Sequence, residues 1–204
     1  MRVKTLLVDV GGVLLSSNPA FWEMLQRDWG APAHVEDLFY GPESPWPACR
    51  TGAIDYAEYM RRVADQLGMD SAVLTELRDR HEWVVNERMA QWVRDVHRGG
   101  LEVILVSNAD TTLEERLQKF ALDDAFDSVV NSARVGAAKP DPAIYRRALE
   151  LTESAPPQCL FVDDRESNLI VARDLGLHAV LFGDLEQFLR DLRRLAPGEP
   201  WAER

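Results

Sequence analysis

One short run of residues limits what this chain can fold into more than any other feature. Leu6-Leu7-Val8-Asp9-Val10-Gly11-Gly12-Val13-Leu14-Leu15 places a single carboxylate in an apolar stretch and follows it with two glycines. A buried carboxylate costs free energy unless a charged or hydrogen-bonding partner meets it. The run predicts a buried strand over residues 3–9, with Asp9 at the sheet rim, where open α/β sheets bind ligands. On this stretch alone, a plain turn-capping role for Asp9 stays open.

From residue 87 onwards, the sequence alternates between two apolar patterns. Helical stripes that end near glycines are separated by short apolar runs, which are typical of buried strands. These runs predict strands over 101–106, 126–130, 159–162 and 178–182. Strands that alternate with helices imply right-handed crossovers and a parallel sheet covered on both faces. The chain is therefore predicted to have an α/β fold.

Residues 16–86 interrupt this alternation directly after the first strand. Predicted helices cover 19–29 and 56–67 and begin again near Ser71. The prolines of residues 40–50 predict a loop, and no strand is predicted anywhere in the segment. We interpret the segment as an inserted helical cap that lies over the sheet edge, while 1–15 and 87–204 form the sheet domain.

Three local features concern the ends of helices and of the chain. Thr112 and Glu115 have the spacing of a capping box. Asp141-Pro142 predicts a helix start, with an aspartate cap followed by proline at the first helical position. The tail 197–204 is predicted to be frayed.

Charge balance and cysteine content restrict the partners and the compartment. The 204 residues include 23 Lys and Arg against 34 Asp and Glu, a net charge of −11. This charge argues against nucleic acid or an anionic membrane as a partner, because both bind basic patches. The apolar runs are too short for a membrane helix or a signal peptide. Cys49 and Cys159 make no disulfide framework, so we expect a cytoplasmic protein, and its oligomeric state stays open.

Polar side chains follow the predicted strands or precede helices at four places. They are Asp9, Ser107-Asn108, Lys139 and Asp163-Asp164. Each has a structural alternative as a helix cap or a solvated turn residue. The carboxyl ends of parallel strands share one sheet edge, so the four groups are expected to meet there. Three carboxylates that face one another repel unless a cation lies between them, which predicts a hard divalent ion, Mg²⁺ above all.

The order and spacing of these groups resemble those of a known family. The matching motifs are Leu6-Leu7-Val8-Asp9, Val106-Ser107-Asn108, Lys139-Pro140-Asp141-Pro142 with Ile144-Tyr145 behind it, and Phe161-Val162-Asp163-Asp164 followed by Asn168, Ala172 and Leu175-Gly176. This set resembles the haloacid dehalogenase superfamily, in the subgroup with a helical cap after the first motif. The closest likeness is to its small phosphatases, including the phosphatase domain of soluble epoxide hydrolases. The resemblance implies a Rossmann-like core and a small phosphorylated substrate.

The resemblance also implies a metal site. The ion would be held by the Asp9 carboxylate, the backbone carbonyl of Gly11 and Asp164, with Asp163 bound to it directly or one shell away. Asn168 matches a position that supports the water shell of the metal in related proteins.

For catalysis, the resemblance implies that Asp9 is the nucleophile and forms an aspartyl phosphate. Phosphate oxygens would be held by Ser107 and by neighbouring amides, including those around Asn108. Lys139 would neutralise charge in the transition state. From the cap, Trp46 in the proline-rich loop and Arg50 in the turn behind it are candidate substrate contacts, although a plain turn at Arg50 stays open.

Gly11 departs from the family pattern. Phosphatases of the family usually carry Asp-x-Asp in the first motif, and the second aspartate serves as general acid and base; here that position is Gly11. General acid–base catalysis typically contributes about 10²–10⁴ in rate. Three interpretations remain: a phosphatase that uses a water, a cap residue or a good leaving group, a dehalogenase, which needs no proton donor, or a catalytically silent binding protein. The Asp163-Asp164 pair favours phosphate over halide chemistry.

Overall fold

The computed structural model describes residues 2–202. The strands are β1 (Thr5–Val8), β2 (Leu15–Ser17), β3 (Trp83–Val85), β4 (Glu102–Ser107), β5 (Ser128–Asn131), β6 (Cys159–Asp163) and β7 (His178–Leu181). Five of them form a parallel sheet in the order β5-β4-β1-β6-β7, and β2 and β3 pair as a separate antiparallel ribbon. The predicted α/β fold with a parallel sheet is confirmed.

Helices cover both faces of the sheet and fill the segment between β2 and β3. They are α1 (Pro19–Trp29), α2 (Val35–Tyr40), α3 (Trp46–Cys49), α4 (Tyr56–Leu67), α5 (Ser71–His81), α6 (Glu87–Arg98), α7 (Leu113–Lys119), α8 (Ser132–Val135), α9 (Pro142–Leu149), α10 (Glu166–Asp174) and α11 (Leu185–Leu195). Within residues 2–202, none of these helices is long and apolar enough to cross a bilayer.

Strand β1 lies at the centre of the sheet, and its side chains alternate between two apolar cores. Leu6 and Val8 pack into one core, whereas Leu7 packs with Ile104 and Phe161 in the other. This alternation is the two-residue period of a strand whose two faces are both buried. It brings the end of β1, and therefore Asp9, to the middle of the carboxyl edge of the sheet.

Helices α1–α5 have an apolar core of their own. Phe21, Trp22 and Phe39 are buried there and contact one another through tilted and edge-to-face ring pairs, and the buried Tyr59 ring packs against that of Trp46. The chain enters this helical segment through β2 and returns through β3, and Leu15 pairs with Val85. The antiparallel ribbon thus joins the helical segment to the sheet close to the end of β1.

The prediction that residues 16–86 contain no strand was wrong, because β2 and β3 lie at the two ends of that segment. Each has only three residues, too few for an alternating pattern to show in the sequence. The loop predicted over residues 40–50 is also interrupted, by the single turn of α3. Pro47 stands in the first turn of α3, where a missing N–H costs no hydrogen bond.

Two further predictions were also wrong, one about the start of α7 and one about the C-terminal tail. Thr112 stands at the N-cap position of α7 but makes no side-chain capping bond: its hydroxyl donates to Asp110 Oδ1 at 2.6 Å, and its oxygen accepts from Arg116 Nη2 at 3.0 Å instead of from the helix backbone. The tail is not frayed up to residue 202, because Trp201 is only 8% exposed and packs with Ala202 against the sheet core. Residues 203–204 lie outside the described residues, as does Met1 of the predicted sheet domain. The Asp141 cap of α9 is confirmed by its bond from Ala143 N.

Candidate active site

The predicted polar groups do meet at the carboxyl edge of the sheet. Asp9 follows β1, Asp163 ends β6, and Lys139 precedes α9. Lys139 Nζ lies 2.8 Å from Asp9 Oδ1 and 2.7 Å from Asp163 Oδ2. Asp9, Asp163 and Lys139 are 6%, 0% and 2% exposed, so this is a buried ion triad. One ammonium therefore joins two carboxylates from neighbouring strands.

Asp163 and Asp164 have different surroundings. Asp163 is saturated with donors: besides Lys139, it accepts from Asn168 Nδ2 at 2.9 and 3.0 Å and from Arg165 N at 2.8 Å. Asp164 is exposed, and among the described residues no other side chain donates to its carboxylate. Its two oxygens are therefore open to a ligand, whereas those of Asp163 are engaged in holding the site together.

The carboxylates outnumber the cations at this point. Ligand oxygens of Asp9, Asp163 and Asp164 all lie within 4.8 Å of one another, around the one ammonium of Lys139. Burial is the main cause that raises the pKa of Asp9 to about 7; Lys139 lowers it, and Asp163 and Asp164 raise it further. Burial and then the charge of Asp163 also raise the pKa of Asp164. Such a cluster stabilises a cation placed among its oxygens, and all-oxygen sets of this kind suit Mg²⁺.

The two glycines after Asp9 differ in how closely they are packed. Gly12 has φ +72°, and a Cβ there would lie 2.3 Å from Asp164 Oδ2, so the backbone approaches this carboxylate as only glycine can. At Gly11, a Cβ would meet no atom within 4 Å. The space of the usual second aspartate is therefore empty rather than filled by another group.

A cavity of about 220 Å³ opens over the triad. Its lining includes Asp9, Gly11, Asn108, Lys139 and Asp164 from the sheet domain and Glu36, Tyr40, Trp46 and Arg50 from the helical segment. Both candidate substrate contacts of the cap, Trp46 and Arg50, thus face the same cavity as Asp9. Within residues 2–202, two predicted site residues do not line it: Ser107, which ends β4 and is 3% exposed, and Asp163, which is fully buried beneath Lys139.

Asn108 is bound to the turn that carries Lys139. Its Nδ2 donates to Lys139 O at 2.9 Å, and its Oδ1 accepts from Lys139 N at 2.7 Å. These paired bonds fix the backbone of Lys139 against the end of β4. Asn108 therefore positions Lys139, in addition to any contact with a ligand.

Several residues that line the cavity were missed by sequence reasoning. Arg165 follows the Asp-Asp pair, and Glu36 and Tyr40 come from α2. Arg165 could have been found, since it directly follows Asp163-Asp164 at the same strand end. Glu36 and Tyr40 carry no such signal, because the turn of α2 over the cavity depends on the packing of the helical segment.

With this geometry in place, comparison with known proteins identifies the class. The haloacid dehalogenase-like hydrolase family matches residues 3–176, and the chain belongs to this family of hydrolases. Asp9, Lys139 and the Asp163-Asp164 pair all lie within the matched range.

Individual proteins are also similar to this chain, two of them in sequence and one in fold. Bifunctional epoxide hydrolase 2 of Rattus norvegicus is 31% identical over 96% of this chain, which spans only about two fifths (39%) of that protein. Sesquiterpene phosphatase astK of Aspergillus oryzae is 24% identical and matches over 94% of this chain and 96% of its own length. In fold, the chain resembles an enzyme of the same superfamily, bt-2542 of Bacteroides thetaiotaomicron, solved with magnesium and inorganic phosphate: TM-score 0.75, 20% identity, 91% of this chain and 98% of that one.

Proposed function

We propose that the protein is a Mg²⁺-dependent phosphatase that hydrolyses a small phosphorylated metabolite through an aspartyl phosphate on Asp9. The observation that carries this proposal is the buried triad, in which Lys139 Nζ holds Asp9 and Asp163 at 2.8 and 2.7 Å under an open cavity. The phosphatase named astK and the phosphate-bound structure of bt-2542 support the same chemistry by analogy.

The metal ligands we assign are Asp9, the Gly11 carbonyl and Asp164. Asp164 is the exposed carboxylate without a donor, and Gly12 leaves room for it beside the Gly11 backbone. Asp163 would act behind these ligands, because its oxygens already accept bonds from Lys139, Asn168 and Arg165 N. Bound Mg²⁺ would supply charge neutralisation for the phosphoryl group.

Asp9 is held ready for attack. Its Oδ1 accepts from Val10 N at 2.7 Å and contacts Lys139 Nζ, so the carboxylate plane is fixed before substrate arrives. The Asp9 carboxylate would attack phosphorus, the ester oxygen would leave, and water would then attack phosphorus to release inorganic phosphate and restore Asp9. Lys139 would stabilise the charge on the phosphoryl oxygens, and Ser107 is retained as a candidate contact to them.

Because position 11 has no acidic side chain, the site is restricted to leaving groups that depart without a proton from that position. No carboxyl group occupies the open space beside Gly11, so the departing oxygen must leave without a proton from that position. We therefore infer a substrate whose leaving group is stable as an anion, such as an anomeric, acyl or aryl phosphate. Poor alkyl leaving groups would react slowly, since general acid catalysis typically contributes about 10²–10⁴ in rate.

We assign residues 16–86 as the cap and 1–15 with 87–204 as the catalytic core. The cavity supports this division, because Trp46 and Arg50 line it opposite Asp9 and Lys139. A cap in this position would select the substrate and exclude water during phosphoryl transfer. We further propose a cytoplasmic location, which two buried free thiols, Cys49 and Cys159, suit.

The decisive experiment compares the wild type with Asp9→Asn on 4-nitrophenyl phosphate, with Mg²⁺ and then with excess chelator. We expect turnover that needs Mg²⁺ and falls by at least about 10³-fold in the variant, because the nucleophile is lost. Wild-type turnover no higher than that of Asp9→Asn would establish a silent binding protein instead. Chelator-insensitive halide release from a 2-haloacid would establish a dehalogenase.

A further inference from the structure

The Arg50 guanidinium lies at the cavity without a partner. Arg50 is the C-terminal cap of α3, and its backbone N–H donates to Trp46 O at 2.9 Å. The side chain is half-buried and lines the cavity, and its buried Nε atom has no hydrogen-bond partner. A buried N–H of a charged group that stays unpaired costs free energy, so this donor is set up for a ligand or a water.

A second guanidinium faces the same space. Arg165 lines the cavity, and neither Arg50 nor Arg165 forms an ion pair in the described part of the chain. Burial lowers the pKa of Arg50, and the nearby charge of Arg165 lowers it further. Within residues 2–202, no carboxylate oxygen lies within ion-pair distance (4 Å) of the Arg50 guanidinium, although Glu36 and Asp164 line the same cavity. Two like charges that line one cavity favour an anion bound there.

Neither arginine belongs to the buried ion triad of Asp9, Lys139 and Asp163. Arg165 directly follows Asp164 in the chain, and both residues line the cavity. Arg50 has Arg165 as its charged neighbour and contacts none of the three aspartates. Arg165 therefore comes from the strand end that carries the acid pair, whereas Arg50 comes from the end of α3.

The backbone around Arg50 is held in place by the core. Gly52, two residues later, has φ +72°, and a Cβ there would lie 2.2 Å from the carbonyl oxygen of Ala133. This close approach packs the turn of the cap directly on the segment after β5. Thr51 Oγ1 also donates to Pro47 O at 3.0 Å and braces α3 from within. The position of Arg50 relative to the sheet is thus fixed before any ligand binds.

We propose that Arg50 and Arg165 form a subsite for a second anionic group of the substrate, a carboxylate or a second phosphate, distinct from the phosphoryl group that Asp9 attacks. The proposal rests on the proposed phosphatase function and narrows its substrate class to small phosphate esters with two anionic ends. Because Arg50 belongs to the cap and Arg165 to the core, the second anion would also bridge the two parts and relieve their repulsion. The planar fork of Arg50 suits bidentate binding of either group.

The test compares phenyl phosphate with its 2-, 3- and 4-carboxy derivatives, which keep one phosphoryl group and move a carboxylate across the cavity. We expect the wild type, with Mg²⁺, to prefer at least one carboxylated isomer in kcat/KM by about 10-fold or more. In Arg50→Gln this preference ratio should fall by about 10–100-fold, and in Arg50→Lys by less, since the charge remains while the fork is lost. Arg165→Gln should lower the ratio less, because Arg165 is more exposed.

Arg62→Gln is the matched control, because Arg62 lies on the cap surface, pairs with Glu58 and does not line the cavity. It should leave the preference ratio at the wild-type value. Equal losses for plain and carboxylated phosphates in Arg50→Gln would overturn the subsite and assign Arg50 to the transferred phosphoryl group. A wild type without preference for any isomer would overturn it as well.

A binding measurement separates this inference from the proposed function. Calorimetry with Asp9→Asn and the preferred carboxylated phosphate does not depend on turnover. If the wild type hydrolyses no phosphate but binding to Asp9→Asn still weakens about 10-fold on adding Arg50→Gln, the phosphatase proposal fails and the subsite stands. If phenyl phosphate is hydrolysed and carboxylates add nothing to rate or binding, the subsite fails and the phosphatase stands.

Discussion

Two clusters of charged side chains lie where helices α1–α5 meet the sheet, and they differ in charge balance. The acid cluster consists of Asp9, Asp163 and Asp164 around Lys139. The arginine cluster consists of Arg78 and Glu82 from the cap and of Asp110 and Arg116 from the core. The first has three carboxylates for one cation, whereas the second has two of each.

The arginine cluster is closed and internally paired. Arg78 Nε lies 2.5 Å from Glu82 Oε2, and Arg78 Nη1 lies 3.6 Å from Asp110 Oδ2. Arg116 Nη2 lies 3.0 Å from the same Asp110 oxygen, and the Tyr40 hydroxyl contacts both Arg78 and Glu82. Burial alone would raise the pKa of Asp110, but Arg116 and Arg78 together lower it to about 2.

The difference shows what each cluster does. Charges that are matched one for one need no further ligand. In the arginine cluster, these pairs also connect α5 to the segment after β4. Charges that are unmatched, as in the acid cluster, stay costly until a cation arrives. The arginine cluster therefore joins α5 to the sheet domain, whereas the acid cluster carries the unmatched charge on which the proposed metal site rests. Each of the following substitutions changes the balance of one cluster or the backbone that frames it.

The largest effect is expected for Arg78→Met, which removes the cation that links the cap to the core. Glu82 and Asp110 would then stay buried with too few partners, and breaking a buried pair typically costs about 3–5 kcal/mol. Urea unfolding should show this loss in the free energy of unfolding. Arg80→Met is the matched control on the exposed side of α5, where Arg80 pairs with Glu76 and should contribute less than about 1 kcal/mol. Equal losses in the two variants would show that Arg78 is not a structural link.

Removing one negative charge from the acid cluster should raise the stability of the metal-free protein, whereas Arg78→Met should lower it. The pKa of Asp9 is raised to about 7, so between its ordinary pKa and pH 7 the folded protein holds a proton that the unfolded chain releases. Stability of the metal-free protein should therefore fall as pH rises through this window, and Asp9→Asn should remove that part of the fall. At pH 8 with chelator, we expect the variant to be more stable than the wild type by about 2 kcal/mol.

Urea unfolding at pH 5 and pH 8, with and without Mg²⁺, checks this expectation. Saturating Mg²⁺ should reverse the order at pH 8, because the ion stabilises only the carboxylate form. A wild type whose stability at pH 8 exceeds that of Asp9→Asn in chelator would show that Lys139 alone balances the cluster.

The two clusters also differ in how far the sequence predicts them. The acid cluster follows from topology: Asp9 and Asp163 end buried parallel strands, so their meeting at one edge could be predicted, and the distances confirm it. The arginine cluster could not, since Arg78 lies in an amphipathic helix, where an arginine predicts a solvated face. Its burial depends on how α5 docks on Asp110, 32 positions further along the chain by the numbering.

Short elements were the other source of error. Strands β2 and β3 have three residues each and gain their stability from pairing with each other rather than from their own sequence. The fold of the sheet, by contrast, follows from the repeated alternation of short apolar runs with helical stripes, a pattern that extends over more than half of the chain. Roles at the site, including those of Ser107 and Asn108, stay predictions even where the residues are in place.

Gly12→Ala should weaken Mg²⁺ binding at the acid cluster by displacing the backbone or the carboxylate of Asp164. The new Cβ would lie 2.3 Å from Asp164 Oδ2 at a residue with φ +72°, so either the turn or the carboxylate must move. We expect Mg²⁺ affinity, measured by metal titration of activity and of thermal stability, to fall by about 10-fold, the range seen when groups that orient metal ligands are changed. Gly68→Ala has a similar φ of +65° without a close neighbour, so it controls for backbone strain alone. Equal shifts in metal affinity in the two variants would contradict a role for Gly12 at the metal.

Gly11→Asp is expected to have the smallest and most selective effect, because the position has open space and no strained backbone. The new carboxyl group could protonate a departing oxygen, which helps only where that oxygen is a poor leaving group. We expect kcat/KM for an alkyl phosphate to rise by about 10-fold relative to that for 4-nitrophenyl phosphate. Gly11→Asn has nearly the same shape but no acid, and should leave the ratio unchanged. A ratio that stays constant in Gly11→Asp, or rises equally in Gly11→Asn, would mean that the empty space beside Asp9 does not limit the choice of leaving group.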